Sequence, residues 1–499
     1  MVSKDRGVLV IDIGTESVRA ALVDEKGKVR QIEGRSPSFF SPHPGWAEQS
    51  PEEWWELSSQ CVRSLNLKDT RMEIVAVGVT AQMHAVVPVD NKGRVLLKQV
   101  PIWCDKRSQK ICEEVSQKIP LQEQLNKAAN LIIPNWTGPK MKWIKEYVPE
   151  VYNQTSVFLT AKDYLNFKLT GSYFTDFSEA SGSFLFSWKE KTWSDELLSL
   201  FDLNQEKLPP IAPSVQVVGQ VQEEVAHFLD IPSGIPVICG AGDMLCLLLG
   251  GGMVEEGRSC DVAGTAADVS IFSSYPLISP KLMNLHHGVD GWISFGILDS
   301  GGGSLRWFRD AFYQDEGKTV SYAEIDKEAQ TADSAGLLFF PYLLGERLMG
   351  SPHARGVFLG ILPHHQRKHF ARAVMEGVSF DLKMSLEEIE KLRQEKISHL
   401  TAIGGGAKSN LWCQIKADIY EKEIWALEET EGGIMGAAML SFSSALKRPV
   451  SQLAKEWIKV RKKFLPEPDR REVYRKEYQQ FKNFHDSLQD IFFQYGKEN

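Results

Sequence analysis

The stretch VLVIDIGTESVRAALVDEKGKVRQIEG constrains the fold most. Its apolar run from Val8 stops at Gly14, resumes from Ser17 to Val23, and turns again at Asp24-Glu25-Lys26-Gly27. Apolar runs of strand length bounded by glycine turns predict a meander of three antiparallel strands, so the start of the chain is committed to a sheet. The pattern returns half a chain length later, where Arg258 to Phe272 (RSCDVAGTAADVSIF) reads as a strand, a turn at Gly264-Thr265 and a second strand. A Gly-Thr pair is a common coincidence, and this echo leaves internal duplication open.

Between these segments the turn composition Asp90-Asn91-Lys92-Gly93 predicts a second hairpin. Pro51 to Leu65 and Lys106 to Lys118 carry helical spacing. Strands and helices interleave, which predicts a layered α/β architecture. The glycine-rich segment GAGDMLCLLLGGGM reads as a hinge between halves, taken as residues 1–250 and 251–499. Glu467 to Lys482 reads as a charged surface helix with one packed stripe at Tyr474, Tyr478 and Phe481. A chain of 499 residues with 43% apolar content is long enough for two cores. The net charge of -8 is spread along the length, which gives no reason to expect nucleic acid or an anionic membrane as partner. Seven cysteines without CxxC or zinc spacing, no apolar leader and no run of about 18 apolar residues predict a cytoplasmic protein with reduced thiols.

Three glycine turns follow predicted strands: Asp12-Ile13-Gly14-Thr15, Ala263-Gly264-Thr265 and Gly404-Gly405-Gly406-Ala407. Such turns let main-chain amides approach phosphate oxygens, and the third leads into a helix with Ser409 as a polar cap. Neither GxxxxGK[ST] nor a strand followed by GxGxxG is present, so a bound triphosphate needs some other cradle. Phosphoryl transfer to an alcohol also needs a base and a divalent cation. Asp12, at the end of a buried strand, suits Mg2+ held through water, and Arg19 suits a role in fixing the first hairpin. Asp243 in ICGAGDML suits a general base, and suits a turn cap equally well. His84 reads either as a donor to a sugar hydroxyl or as a structural histidine. Trp103, Cys104, Asp105 and Arg107 read either as a polyol-binding cluster or as a surface loop.

These residues resemble the FGGY carbohydrate kinases, and within that family most the xylulokinases. The resemblance runs from Ile11 to about Tyr478 through segments in the family's order: IDIGTESVRA, PGWAEQSPEEWW, GVTAQMHAVV, IWCDKRS, GPKMKWIKEYVPE, FLTAKDYLNFKLTG, GAGDM, AGT, GGGSLRWFRD, FFPYLLGER, GVFLGI and IGGGAKSNLW. It implies two actin-like ATPase (RNase H-like) domains with a cleft between them, the first on the sugar side and the second on the nucleotide side. It implies Asp243 as general base and Asp12 in the Mg-ATP site. Gly14, Thr15, Glu16, Arg19, Gly264, Thr265, Gly302, Arg306, Gly406, Ala407 and Asn410 become nucleotide contacts by the same matching. Gln82, Met83, His84, Trp103, Asp105 and Met244 join Asp243 on the sugar side.

The implied activity is transfer of the γ-phosphoryl group of Mg-ATP to a ketose such as D-xylulose. Ribulose, gluconate or a polyol as acceptor, or a non-catalytic actin-like ATP-binding protein, are the alternatives. Family members occur as dimers or larger, so a homodimer is expected. The chain departs from the xylulokinase pattern at Met83-His84-Ala85, where Met-His-Gly is typical, at Asp243-Met244, where Asp-Asn is typical, and at Leu348-Met349, where Thr-Pro is typical. An apolar side chain beside the base leaves the identity of the sugar open.

Overall fold

The computed structural model describes residues 5–315, 318–348, 353–428 and 431–498; Met349 lies outside them. The chain forms two compact units, each from three segments. One comprises Met1–Val254, Asn284–Trp292 and Glu431–Trp457, the other Glu255–Met283, Ile293–Thr430 and Ile458–Asn499.

In the first unit the expected meander is present: Arg6–Ile13, Val18–Asp24 and Val29–Arg35 pair antiparallel in that order. Arg6–Ile13 also pairs in parallel with Glu73–Ala81, which neighbours Pro236–Ile238 in parallel, and Val217–Gln220 closes the edge antiparallel. The central strands are buried along nearly their whole length instead of alternating, because helices cover both faces. Leu9, Ile11 and Ile13 pack with Trp54 and Cys61 of helix Pro51–Ser64. That helix starts where Ser50 accepts the Glu53 N–H, with proline in its first turn. Helix Gly432–Leu446 covers the other face, so close that a Cβ on Gly78 would lie 2.2 Å from Ser441 Oγ.

Val87–Val89 pairs with Val157–Leu159, and Val89 shares a single isolated bridge with Val95. The Asp90 carboxylate accepts the Lys92 and Arg94 N–H groups at 2.9 Å and Asp90 N–H bonds to Arg94 O, so the expected second hairpin is present in short form. The glycine-rich segment forms helix Asp243–Gly250. A Cβ on Gly436 would stand 1.9 Å from Cys246 O, and one on Gly250 2.2 Å from Gly432 O, so several of these glycines bring two helix backbones into contact.

The second unit repeats the strand succession. Its sheet runs Trp292–Leu298, Ala267–Ser273, Ser259–Ala263, His399–Ile403, Glu423–Leu427, Val460–Phe464. A hairpin is again followed by two parallel neighbours and an antiparallel edge. Helix Asn410–Tyr420 begins at the expected cap, Ser409 Oγ accepting Trp412 N–H at 3.0 Å. The terminal helix Pro468–Glu498 buries Tyr474, Tyr478 and Phe481 against Phe380, as its stripe predicts.

Candidate active site

Parallel pairing brings three strand ends together in the first unit. Asp12 lies beside Thr80, Gln82 follows Ala81, and Gly242, paired with Ala81, is followed by Asp243. The hairpin register sets Arg19 opposite Asp12. Arg19 donates to Asp12 Oδ2 through Nε at 3.1 Å and a terminal nitrogen at 2.5 Å, and its other terminal nitrogen reaches Glu431 Oε2 at 2.5 Å. Burial pushes the Asp12 carboxyl up, against the lowering pull of Arg19.

Asp243 heads its helix, half-buried, and its Oδ1 accepts the Met244 N–H at 2.7 Å. Burial, and then the charge of Asp12, pushes its carboxyl up to about 7. A carboxyl titrating there can take up or release a proton near neutral pH.

A hydrogen-bonded chain lies beside this pair. Trp103 Nε1 donates to Thr15 Oγ1 at 2.9 Å, Thr15 Oγ1 donates to Gln82 Oε1 at 3.0 Å, and Gln82 Nε2 donates to Gln49 Oε1 at 2.5 Å. Gln49 in turn donates to Thr15 O. Met83 packs beneath Gly242, where a Cβ would stand 2.5 Å from Met83 Cγ. His84 is buried with its ring edge-on to Trp136, centroids 5.0 Å apart. Asp105 is fully buried, and its oxygens accept from Ala47 N, Arg107 N, Arg107 Nε and an Arg107 terminal nitrogen. Its carboxylate thus ties two loops together. Glu16 is exposed on the first turn, and Met244 is half-buried.

The second unit holds a cavity of about 520 Å³ lined by Gly264, Thr265, Gly302, Arg306, Gly406 and Trp412 among others. Arg306 donates to Thr265 Oγ1 at 2.6 Å. The Gly264 amide is bonded across its own turn to Ala266 O, and the Gly302 and Gly303 amides bond to the carbonyls of Gly264 and Thr265. These glycines therefore serve first to seat helix Gly301–Phe312 on the hairpin: a Cβ on Gly302 would lie 2.3 Å from Gly264 O. A Cβ on Gly406 would likewise lie 2.5 Å from the Ala263 Cβ. Ala407 O and Asn410 Oδ1 accept from Arg461 at 3.3 and 3.2 Å.

Of the residues expected to contact nucleotide, Gly264, Thr265, Gly302, Arg306 and Gly406 line this cavity, with Ala407 and Asn410 linked to each other through Arg461. Gly14, Thr15, Glu16 and Arg19 belong to the first unit. Sequence reasoning missed Gln49, Glu431, Arg461 and Asp326, which lines the same cavity. Glu431 stands 412 positions from Arg19, and no local pattern pairs them. Among the described residues, no cluster of three or more His, Cys, Asp or Glu forms a self-contained metal site, and no helix is long and apolar enough to cross a membrane.

Residues 7–250 match the FGGY family of carbohydrate kinases, N-terminal domain, and residues 262–445 its C-terminal domain. The chain is similar to the gluconate kinase from Lactobacillus acidophilus (TM-score 0.91, 25% identity, 98% of this chain and 100% of that one). It is similar also to the xylulose kinase from Rhodospirillum rubrum (TM-score 0.90, 26%, 98% and 100%). The architecture is the two-domain actin-like, RNase H-like α/β fold, and the class is a phosphotransferase with an alcohol group as acceptor. The chain belongs to the FGGY family of carbohydrate kinases, which use ATP as phosphate donor. Curated relatives include a xylulose kinase of Lactococcus lactis subsp. lactis (strain IL1403), 32% identical over 97% of each chain. A gluconokinase of Bacillus licheniformis is 26% identical over 98% of this chain and 97% of its own.

Proposed function

We propose that this kinase phosphorylates a ketose such as D-xylulose, with Asp243 as the general base. The observation that carries the reading is the register that sets Asp243, after Gly242, at the same strand ends as Asp12 and Gln82, where burial and the Asp12 charge push its carboxyl up to about 7. Ionised Asp243 takes the proton of the acceptor hydroxyl as that oxygen attacks the γ-phosphorus, and the bond to the β–γ bridging oxygen of ATP breaks. Gln82, His84 and Trp103 present donors and an aromatic face to the acceptor, while Met83 and Met244 cover its carbon-bound hydrogens. Asp105 acts by holding the Trp103 loop in place.

Asp12 would hold a Mg2+ ion, since its carboxylate is an oxygen donor at a strand end. Bound there, the ion would neutralise charge developing on the transferred group. Thr265, Arg306 and the glycine turns of the second unit hold the nucleotide, and Gly14, Thr15, Glu16 and Arg19 meet its phosphate end during turnover. A homodimer belongs to the same proposal and is read by light scattering.

Support for xylulose comes from the family resemblance and the xylulose kinases among the relatives. Gluconate is the second reading, favoured by the gluconate kinase and gluconokinase matches. Acceptor-dependent ADP release with Mg-ATP, measured across D-xylulose, ribulose, gluconate and polyols, tests both. D-Xylulose is expected to give the highest kcat/KM. A clear preference for gluconate replaces the first reading with the second, and no response to any acceptor removes both.

A further inference from the structure

His84 has φ +63°, in the left-handed region that a residue with a Cβ occupies at a cost. Strain of this kind persists where the surroundings over-determine it, and here both polar groups of the His84 main chain are held. On one side Lys140, fully buried, donates through Nζ to His84 O at 2.9 Å and to Asn135 O at 2.7 Å. Asn135 carries the link onward by donating to Trp103 O at 3.0 Å. On the other side Glu179, 2% exposed, accepts the His84 N–H at Oε2, 3.2 Å away. Gly182 leaves room for the imidazole: a Cβ there would stand 2.3 Å from His84 Cε1.

We propose that Lys140 and Glu179 form a two-sided clamp on the His84 main chain, positioning the acceptor-side loop from helices Thr137–Tyr147 and Phe177–Ser181. The reading rests on the proposed placement of His84 at the acceptor. Both residues are positioning residues, since they act through His84. Burying an ammonium group is costly, and both hydrogen bonds of Lys140 go to main-chain carbonyls of neighbouring loops, so the cost is incurred for loop geometry. Burial pushes Lys140 down to about 7, with the Asp105 charge opposing. Burial pushes the Glu179 carboxyl well up, and the Asp163 charge adds to it. A neutral carboxamide is then a close substitute for Glu179, since its carbonyl oxygen still accepts the His84 N–H.

The test compares Lys140→Met, Glu179→Leu and Glu179→Gln with the wild type on the best acceptor and on ATP. The clamp predicts an acceptor KM raised about tenfold or more in the first two variants, an ATP KM within about twofold, and near wild-type behaviour in Glu179→Gln. Equal loss on both substrates, no loss, or a Gln variant as impaired as the Leu variant overturns it. If the wild type turns over no acceptor, the proposed function fails by itself, and hydrogen exchange decides the clamp. Exchange of residues 82–86 should then quicken about tenfold in Lys140→Met and Glu179→Leu, with Ser259–Ala263 unchanged. Unchanged exchange at 82–86 rejects the clamp. Should Lys140→Met fail to fold, the Glu179 pair carries the same comparison.

Discussion

The two units use one strand order and finish it in different chemistry. In the first, strand ends deliver Asp12, Gln82 and Asp243, with Arg19 across the hairpin from Asp12. In the second, the corresponding ends are Ala263-Gly264-Thr265 and Gly404-Gly405-Gly406. Aligning the two Gly-Thr turns puts Val262 at the place of Asp12, and its cross-strand partner is Asp268 where the first unit has Arg19. One unit thus places ionisable side chains, Asp12, Arg19 and Asp243, at its strand ends. The other offers main chain in which Gly302 and Gly406 leave no room for a methyl group. The duplicated frame fixes where strands end; the residues placed at those ends decide the task.

The sharpest way to break this contrast is Asp243→Asn. Turnover should fall by about 10³-fold, the range that positioned acid–base groups contribute, while ADP affinity measured by calorimetry stays within about twofold. Loss of ADP binding would mean that the two units do not divide the work as described. Next is Gly302→Ala in the second unit, where the added Cβ meets Gly264 O at 2.3 Å, set against Gly14→Ala in the first, where the nearest atom is Ser17 O at 3.2 Å. The first substitution should cost about 1–3 kcal/mol of stability by overpacking, with nucleotide affinity weakened at least several-fold. The second should cost less on both counts, as melting and ADP titration will show.

The pH dependence sharpens the same contrast. Burial pushes the Asp243 carboxyl up to about 7 from an ordinary 3.8, so the folded state keeps a proton that the unfolded chain has released between those values. Stability therefore falls as pH rises through that window, and the penalty is fully present above about 7. Asp243→Asn should melt higher than wild type at pH 8, with the gap closing by pH 4. Wild-type kcat/KM should rise with pH through about 7 as the base ionises. The smallest effect is expected at Arg461→Ala, where the exposed bonds to Ala407 O and Asn410 Oδ1 are lost; ADP affinity should weaken a few-fold with acceptor KM unchanged.

Much of this frame is legible before any coordinate. The first meander, the helix at Pro51, the Ser409 cap and the Tyr474-Tyr478-Phe481 stripe all follow from local rules: turn residues, caps and the periodicity of buried positions. The ordered motifs give the family and point to Asp12 and Asp243. Local rules say less about what a glycine is for. Glycines around Asp243–Gly250, expected as a hinge between halves, admit a second helix backbone. In the second unit the Gly264 amide, expected to face an anion, bonds to Ala266 O, and the Ala407 amide to Gly404 O.

Local pattern alone determined the first meander, the helices at Pro51, Asn410 and Pro468, the family and the identity of the acids at the strand ends, because these depend on composition and on spacings of a few residues. Tertiary structure decided that Glu431 reaches Arg19, that Gln49 joins Gln82 to Thr15, and that Lys140 and Glu179 meet on the main chain of His84. Those contacts join segments tens to hundreds of positions apart, and no local preference encodes them. They exist because parallel strands require long crossovers, and it is the packing of those crossovers that brings distant side chains within hydrogen-bond reach.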